Sequence, residues 1–163
     1  MLIILRHAEP RRGESDPELT SAGHRMAREA GGWVAGLLPE GATTRVFHTP
    51  THRTRQTAEA LLEWLGDRAR LSTIDDLPES FPDLDMLADR LCGARPGLPV
   101  PALPPTVLVG HHTTLVALAR ELPAGGPRPN ARNYTAGLAL VRSADTPLGW
   151  LVHATWSGRP AGP

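Results

Sequence analysis

The chain has 163 residues, 40% of them hydrophobic, and seventeen basic side chains balance seventeen acidic ones to a formal charge of zero. Such a length predicts one domain burying roughly 70% of its unfolded surface, and neutrality excludes broad electrostatic attraction to nucleic acid or anionic membrane. Every basic residue is arginine, so no lysine can serve as Schiff base or phosphate ligand, and the single cysteine, Cys92, excludes an internal disulfide or a multi-cysteine metal site.

Leu2 to Leu5 are uninterrupted aliphatics, the pattern of a short strand buried on both faces. Arg6 and His7 therefore fall at the strand's carboxyl end, where open α/β sheets place their ligand crevices. No charged-then-apolar leader precedes this strand, so a reducing cytoplasm is the expected location. Pro10 to Pro17 read as an irregular loop over the crevice. Arg11 and Arg12 in it are candidates for an acidic group on a substrate, with simple solvation as the alternative; Glu9 is expected to tie down the loop after His7.

Thr20 is a suitable N-cap for a helix running to about Leu38, with Ala27, Ala30, Trp33, Val34 and Leu37 on one face and Trp33 in the core. Its His24 is expected at the surface. Val46-Phe47 forms a second strand, followed by a Thr49-Pro50 helix start and a helix to about Leu65 that turns Thr57, Ala60, Leu61 and Trp64 inward. Arg53 lies in its first turn, beside unpaired backbone donors and the positive end of the macrodipole, whereas Arg55 points elsewhere. His52 is a candidate pocket residue and His48 a structural one.

Leu71 to Ile74 predict a third strand and Asp83 to Leu91 a short helix, with Cys92 buried beside Leu87 and Leu91. Five prolines between Pro96 and Pro105 mark a surface loop. Thr106 to Val109 are a fourth strand ending in Gly110-His111, and a helix from His111 to about Leu122 turns Leu115, Leu118, Ala119 and Leu122 inward until Pro123 stops it. Leu138 to Val141 and Trp150 to Ala154 read as edge strands joined by a turn over Asp145 to Gly149. Residues 1–156 are taken as the domain and 157–163 as a flexible tail.

Arg6-His7-Ala8, Leu19-Thr20-Ser21-Ala22-Gly23, Thr49-Pro50-Thr51-His52-Arg53-Thr54-Arg55-Gln56-Thr57 and Gly110-His111 stand in one order along the chain. Together they resemble the R-H-G, L-T-x-x-G, S-P-x-x-R-x-x-Q-T and G-H motifs of the histidine phosphatase superfamily, the phosphoglycerate-mutase-like proteins. The resemblance implies a three-layer α/β/α sandwich with a mostly parallel central sheet and edge strands. Ala8 stands where glycine is usual and Thr49 where serine is common. The long insertions and C-terminal extension of the mutases are absent, which favours hydrolysis over return of the phosphoryl group to the substrate.

A phosphate dianion calls for forked guanidinium donors, and Arg6 and Arg53 are the candidates. A histidine can attack phosphorus and leave a phosphohistidine that water hydrolyses; both His7 and His111 follow a strand end, and the residues alone do not rank them. The resemblance implies His7 as nucleophile and His111 as the donor to the phosphoryl oxygens. His112 is expected in the pocket wall. Leu77-Pro78-Glu79 is similar to the family's L-x-E segment and makes Glu79 the candidate general acid, with Asp75, Asp76 and Asp83 as competitors. No ligand stands four residues from His111 or His112 to complete a metal site, so turnover without metal or cofactor is expected. The expected partner is a phosphorylated small molecule or a phosphohistidine protein, with no nucleic acid and no membrane. A mutase and a catalytically silent phosphate-binding module are the other readings.

Overall fold

A computed structural model describes residues 1–75, 77, 84–92, 104–121, 127–143 and 150–159. The alternation of side chains along the first strand explains the architecture. In β1 (Leu2–Arg6), Ile3 and Leu5 point to one face of the sheet and Leu2 and Ile4 to the other, all buried. Ile3 and Leu5 pack with Ala30 and Val34 of α1 (Ser21–Leu37) and Ala58, Leu61 and Leu65 of α2 (His52–Leu65). Leu2 and Ile4 pack with Leu87 and Leu91 of α3 (Leu84–Cys92) and Leu115 and Leu118 of α4 (His112–Glu121). A strand covered on both faces must be apolar at every position, and the result is a sheet between two helical layers.

The other strands are β2 (Thr44–His48), β3 (Ala69–Thr73), β4 (Thr106–Gly110), β5 (Gly137–Arg142) and β6 (Trp150–Trp156), in the spatial order β3-β2-β4-β1-β5-β6. The pairs β3-β2, β2-β4 and β4-β1 are parallel, and β1-β5 and β5-β6 antiparallel. The sheet edges are thus β3 and β6, and β5, expected at an edge, is internal because it pairs with β1 as well as β6. The parallel registers bring the carboxyl ends of β1, β4 and β2 together: Arg6 lies opposite Gly110, and His48 opposite Val109.

Thr20 caps α1, its hydroxyl oxygen accepting from the Gly23 N–H at 2.9 Å and its hydroxyl donating to Glu9 at 2.7 Å. Glycine is required at 23, since a Cβ there would run into the Glu9 carbonyl oxygen. Helix α2 starts at His52 rather than Pro50, and Thr51 makes no side-chain cap. The Asp16 carboxylate caps it instead, accepting from the His52 N–H at 2.9 and 3.2 Å.

One further expectation is corrected. Trp64 is 55% exposed rather than turned into the core; it lies across Gly31 and Gly32 of α1, whose bare backbone leaves a shallow floor. Ser157 to Arg159 make the following contacts. Tyr134 and Arg159 exchange backbone hydrogen bonds at 2.9 and 3.0 Å, the Asn133 amide donates to the Ser157 carbonyl, and the Arg159 guanidinium forks onto Glu29 of α1 at 2.6 and 3.0 Å. Trp33 is half-buried and stacks on Trp156, centroids 6.0 Å apart. No helix among the described residues is long and apolar enough to cross a membrane. The Cys92 and Ala119 side chains, Leu122, most of the proline loop and the turn over Asp145 to Gly149 lie outside what is described.

Candidate active site

Strand ends deliver the two histidines, and the first turn of α2 delivers Arg53. His7 follows β1, its N–H bonded to the Gly110 carbonyl at 2.9 Å, and Gly110 is the last residue of β4, so His7 and His111 leave adjacent strands side by side. Their rings meet edge to face with centroids 5.4 Å apart. Thr49 follows β2, its N–H bonded to the Val109 carbonyl at 3.3 Å. These residues, with Arg53 from the first turn of α2, line a cavity of about 370 Å³ together with Leu77, His112, Thr113 and Thr114. The volume lies in the range of small-molecule sites.

The ring of His7 is held in one tautomer. Its Nδ1 lies 2.7 Å from the Ala8 carbonyl oxygen, which can only accept, so Nδ1 carries the proton and Nε2 keeps the lone pair. Burial lowers its pKa to about 3, with Arg6, His111 and Arg53 adding to the effect and the bond to Ala8 opposing it. His7 is therefore a neutral imidazole with a free nitrogen at neutral pH. The pKa of His111 is also lowered, by burial first and then by Arg53, His112 and Arg6, while Asp16 opposes the shift. Its Nε2 lies 3.1 Å from the Thr49 hydroxyl oxygen.

The motif around Arg53 is built for placement as much as for charge. Thr57 accepts from the Ala8 N–H at 2.9 Å and donates to the Arg53 carbonyl at 2.6 Å, and the Gln56 side-chain oxygen Oε1 accepts from the Leu19 N–H at 2.7 Å. These bonds fasten α2 to the segments after His7 and before α1. Arg53 itself meets Asp16 at 3.4 Å. Arg55 is exposed and pairs with Glu59, and His48 is buried between the Thr49 carbonyl and the Thr73 hydroxyl.

The fold thus brings together His7, Arg53, His111 and His112. It places other candidates elsewhere. Arg6 is not among the residues that line the cavity: Nη1 donates to the Ala131 carbonyl at 3.4 Å and to that of Arg132, and the guanidinium carbon lies 4.4 Å from the Tyr134 ring centroid. His52, Arg11 and Arg12 are exposed and outside the lining. Glu79 lies outside the described residues, as do Asp76 and Asp83.

Sequence reasoning passed over three residues beside the site. Asp16 falls within the loop predicted over Pro10 to Pro17, although a carboxylate shortly before one helix can cap another. Tyr134, the chain's single tyrosine, has its ring centroid 5.9 Å from that of His7. The third is Thr135, whose φ of 56° is rare for a residue with a branched Cβ; its N–H donates to the His7 carbonyl at 3.3 Å.

The model of the histidine phosphatase superfamily (branch 1) matches residues 2–96 of the chain. No curated protein matches it in sequence. Among solved structures, the protein histidine phosphatase SixA complexed with tungstate superposes with a TM-score of 0.67 at 19% identity, over 94% of each chain. A Nakamurella multipartitia protein proposed to be a phosphohistidine phosphatase SixA gives 0.61 at 27% identity, over 99% of this chain and 96% of that one. A mycobacterial glucosyl-3-phosphoglycerate phosphatase complexed with VO3 gives 0.61 at 19% identity, over 96% and 98%.

Proposed function

The chain belongs to the histidine phosphatase superfamily, and from that premise we propose that it hydrolyses phosphoric monoesters through a phosphohistidine intermediate on His7. The observation that carries this reading is the state of His7: a neutral ring, its Nδ1–H committed to Ala8, in the same cavity as Arg53 and His111. Nε2 attacks phosphorus, the bond from phosphorus to the ester oxygen breaks, and the leaving alkoxide takes a proton. Water then attacks phosphorus, the bond to Nε2 breaks, and phosphate departs with the ring restored.

Arg53 and His111 are positioned to receive the negative charge that builds on the phosphoryl oxygens. Arg6 acts from beside Tyr134, where its positive potential helps keep His7 uncharged. His112 forms part of the cavity mouth. Glu79 is the proposed proton donor to the alkoxide, on the strength of its segment alone, and turnover needs no metal. Neither Arg11, Arg12 nor His52 is assigned a role.

A second reading is removal of phosphate from a phosphohistidine protein. An imidazole leaving group departs from phosphorus with less need of a strong acid than an alkoxide does. The chain also matches the SixA structures over nearly its full length. Incubation with an aryl phosphate tests the first reading: release of the phenol, trapping of an acid-labile phosphoenzyme, and loss of both in His7→Ala are expected. Folded wild-type protein giving neither signal overturns it and leaves the phosphohistidine reading and the silent binding module.

A further inference from the structure

Three hydroxyls stand behind His111, and counting their protons fixes the tautomer of that ring. Thr54 Oγ1 lies 2.6 Å from the Thr49 carbonyl oxygen and 2.9 Å from that of Thr51. Neither carbonyl can donate, and two bare oxygens 2.6 Å apart would repel, so the one hydroxyl proton of Thr54 is committed to a carbonyl. Thr54 Oγ1 must then accept in its other two contacts, from the hydroxyls of Thr49 at 3.1 Å and Thr51 at 2.8 Å. The single proton of Thr49 is thereby directed at Thr54. What Thr49 turns toward His111 is a lone pair, and the ring nitrogen it meets at 3.1 Å is Nε2.

We propose that Thr54, acting through Thr49, holds His111 in the Nε2–H tautomer, so that the second histidine presents an N–H donor at the cavity wall while uncharged. Thr49 and His111 both line the cavity, so a phosphoryl oxygen entering it can take over the N–H that Thr49 accepts in the free protein. The opposite tautomer would aim a lone pair at that oxygen, and a lone pair facing an anion repels. Thr54 is fully buried, so it is a positioning residue and touches no substrate. The tautomer follows from the hydroxyl geometry alone; its consequence for turnover rests on the phosphatase reading.

Long-range 15N–1H correlation spectra of the imidazoles at about pH 8, above the ordinary histidine range, report which nitrogen carries the proton, with His111→Gln assigning the resonances. Wild type is expected to show His111 protonated at Nε2 and bare at Nδ1. Thr54→Val keeps the shape of the side chain and removes the hydroxyl, freeing the Thr49 proton to turn to Nε2. The Nε2 resonance should then move to the unprotonated position, and kcat should fall about 10- to 100-fold with KM changed less than about threefold. Thr54→Ser should restore both.

A wild-type spectrum with bare Nε2, or a Thr54→Val spectrum unchanged from wild type, overturns the proposal. Should Thr54→Val fail to fold, the wild-type spectrum alone decides. The predicted tautomer in a protein without phosphatase turnover would uphold the hydroxyl chain and remove the functional reading.

Discussion

The carboxylate of Asp16 accepts from the backbone N–H of His52 with both oxygens and lies 3.4 Å from the guanidinium of Arg53. One side chain from the loop after β1 therefore caps α2 and braces the cation that the cavity presents. The ion pair is partly exposed and contributes little by itself; the cap matters more. Asp16→Ala is expected to lower stability by about 1 kcal/mol and to raise KM for an aryl phosphate more than it lowers kcat. Denaturant melts and steady-state kinetics check both, and an unchanged KM would detach Asp16 from the site.

The pKa of His7 sets a pH dependence with a definite sign. In the unfolded chain the ring titrates in the ordinary histidine range, whereas in the folded protein it titrates at about 3. Between those values the unfolded state binds a proton that the folded state does not. Stability is therefore unaffected at neutral pH and falls as pH drops from about 6.5 toward 3, by at most about 1.4 kcal/mol per pH unit from this site. His7→Asn cannot titrate and should show a shallower loss. Unfolding free energies at neutral and mildly acidic pH test this, and parallel curves for the two proteins would mean that His7 is not held neutral by the fold.

Tyr134 holds Arg6 by its ring, not by its hydroxyl, with the guanidinium carbon 4.4 Å from the ring centroid. Tyr134→Phe should keep kcat/KM within about twofold of wild type, while Tyr134→Ala, which removes a cation–π contact of about 0.5–1 kcal/mol and the ring beside His7, should lower it about tenfold. Equal loss in both variants would shift the role to the hydroxyl.

Gly23 allows the close approach of α1 to the segment after His7. Gly23→Ala drives a Cβ into the Glu9 carbonyl oxygen, a backbone atom that cannot swing aside. A loss of about 1–3 kcal/mol is expected from such overpacking, readable as a lower denaturant midpoint; a stability equal to wild type would show that the two segments separate easily.

The strands were legible because burial on both faces favours an unbroken aliphatic run, as Leu2 to Leu5 and Val107 to Val109 illustrate. The convergence of His7, Arg53 and His111 was legible because three motifs each sat at a strand end. What the sequence hid depends on contacts between distant segments. Trp64 follows the helical stripe of α2 yet stays half-exposed, because the surface beneath it is made by two glycines of another helix. Arg6 has the residue type and the position of a phosphate ligand, but the carbonyls of Ala131 and Arg132 engage its guanidinium, and nothing local to Arg6 announces them. The tie of Arg159 to Tyr134 and Glu29 is likewise invisible in the polar composition of the C-terminal segment.

Crystals grown or soaked with vanadate would show whether His7 attacks phosphorus, because vanadate takes the five-coordinate geometry of a phosphoryl group in flight. Vanadium bonded to Nε2 of His7 is expected, with its oxygens facing Arg53 and Nε2 of His111. Vanadate bound away from these residues, or present in the cavity with His7 Nε2 turned from it, would contradict the account.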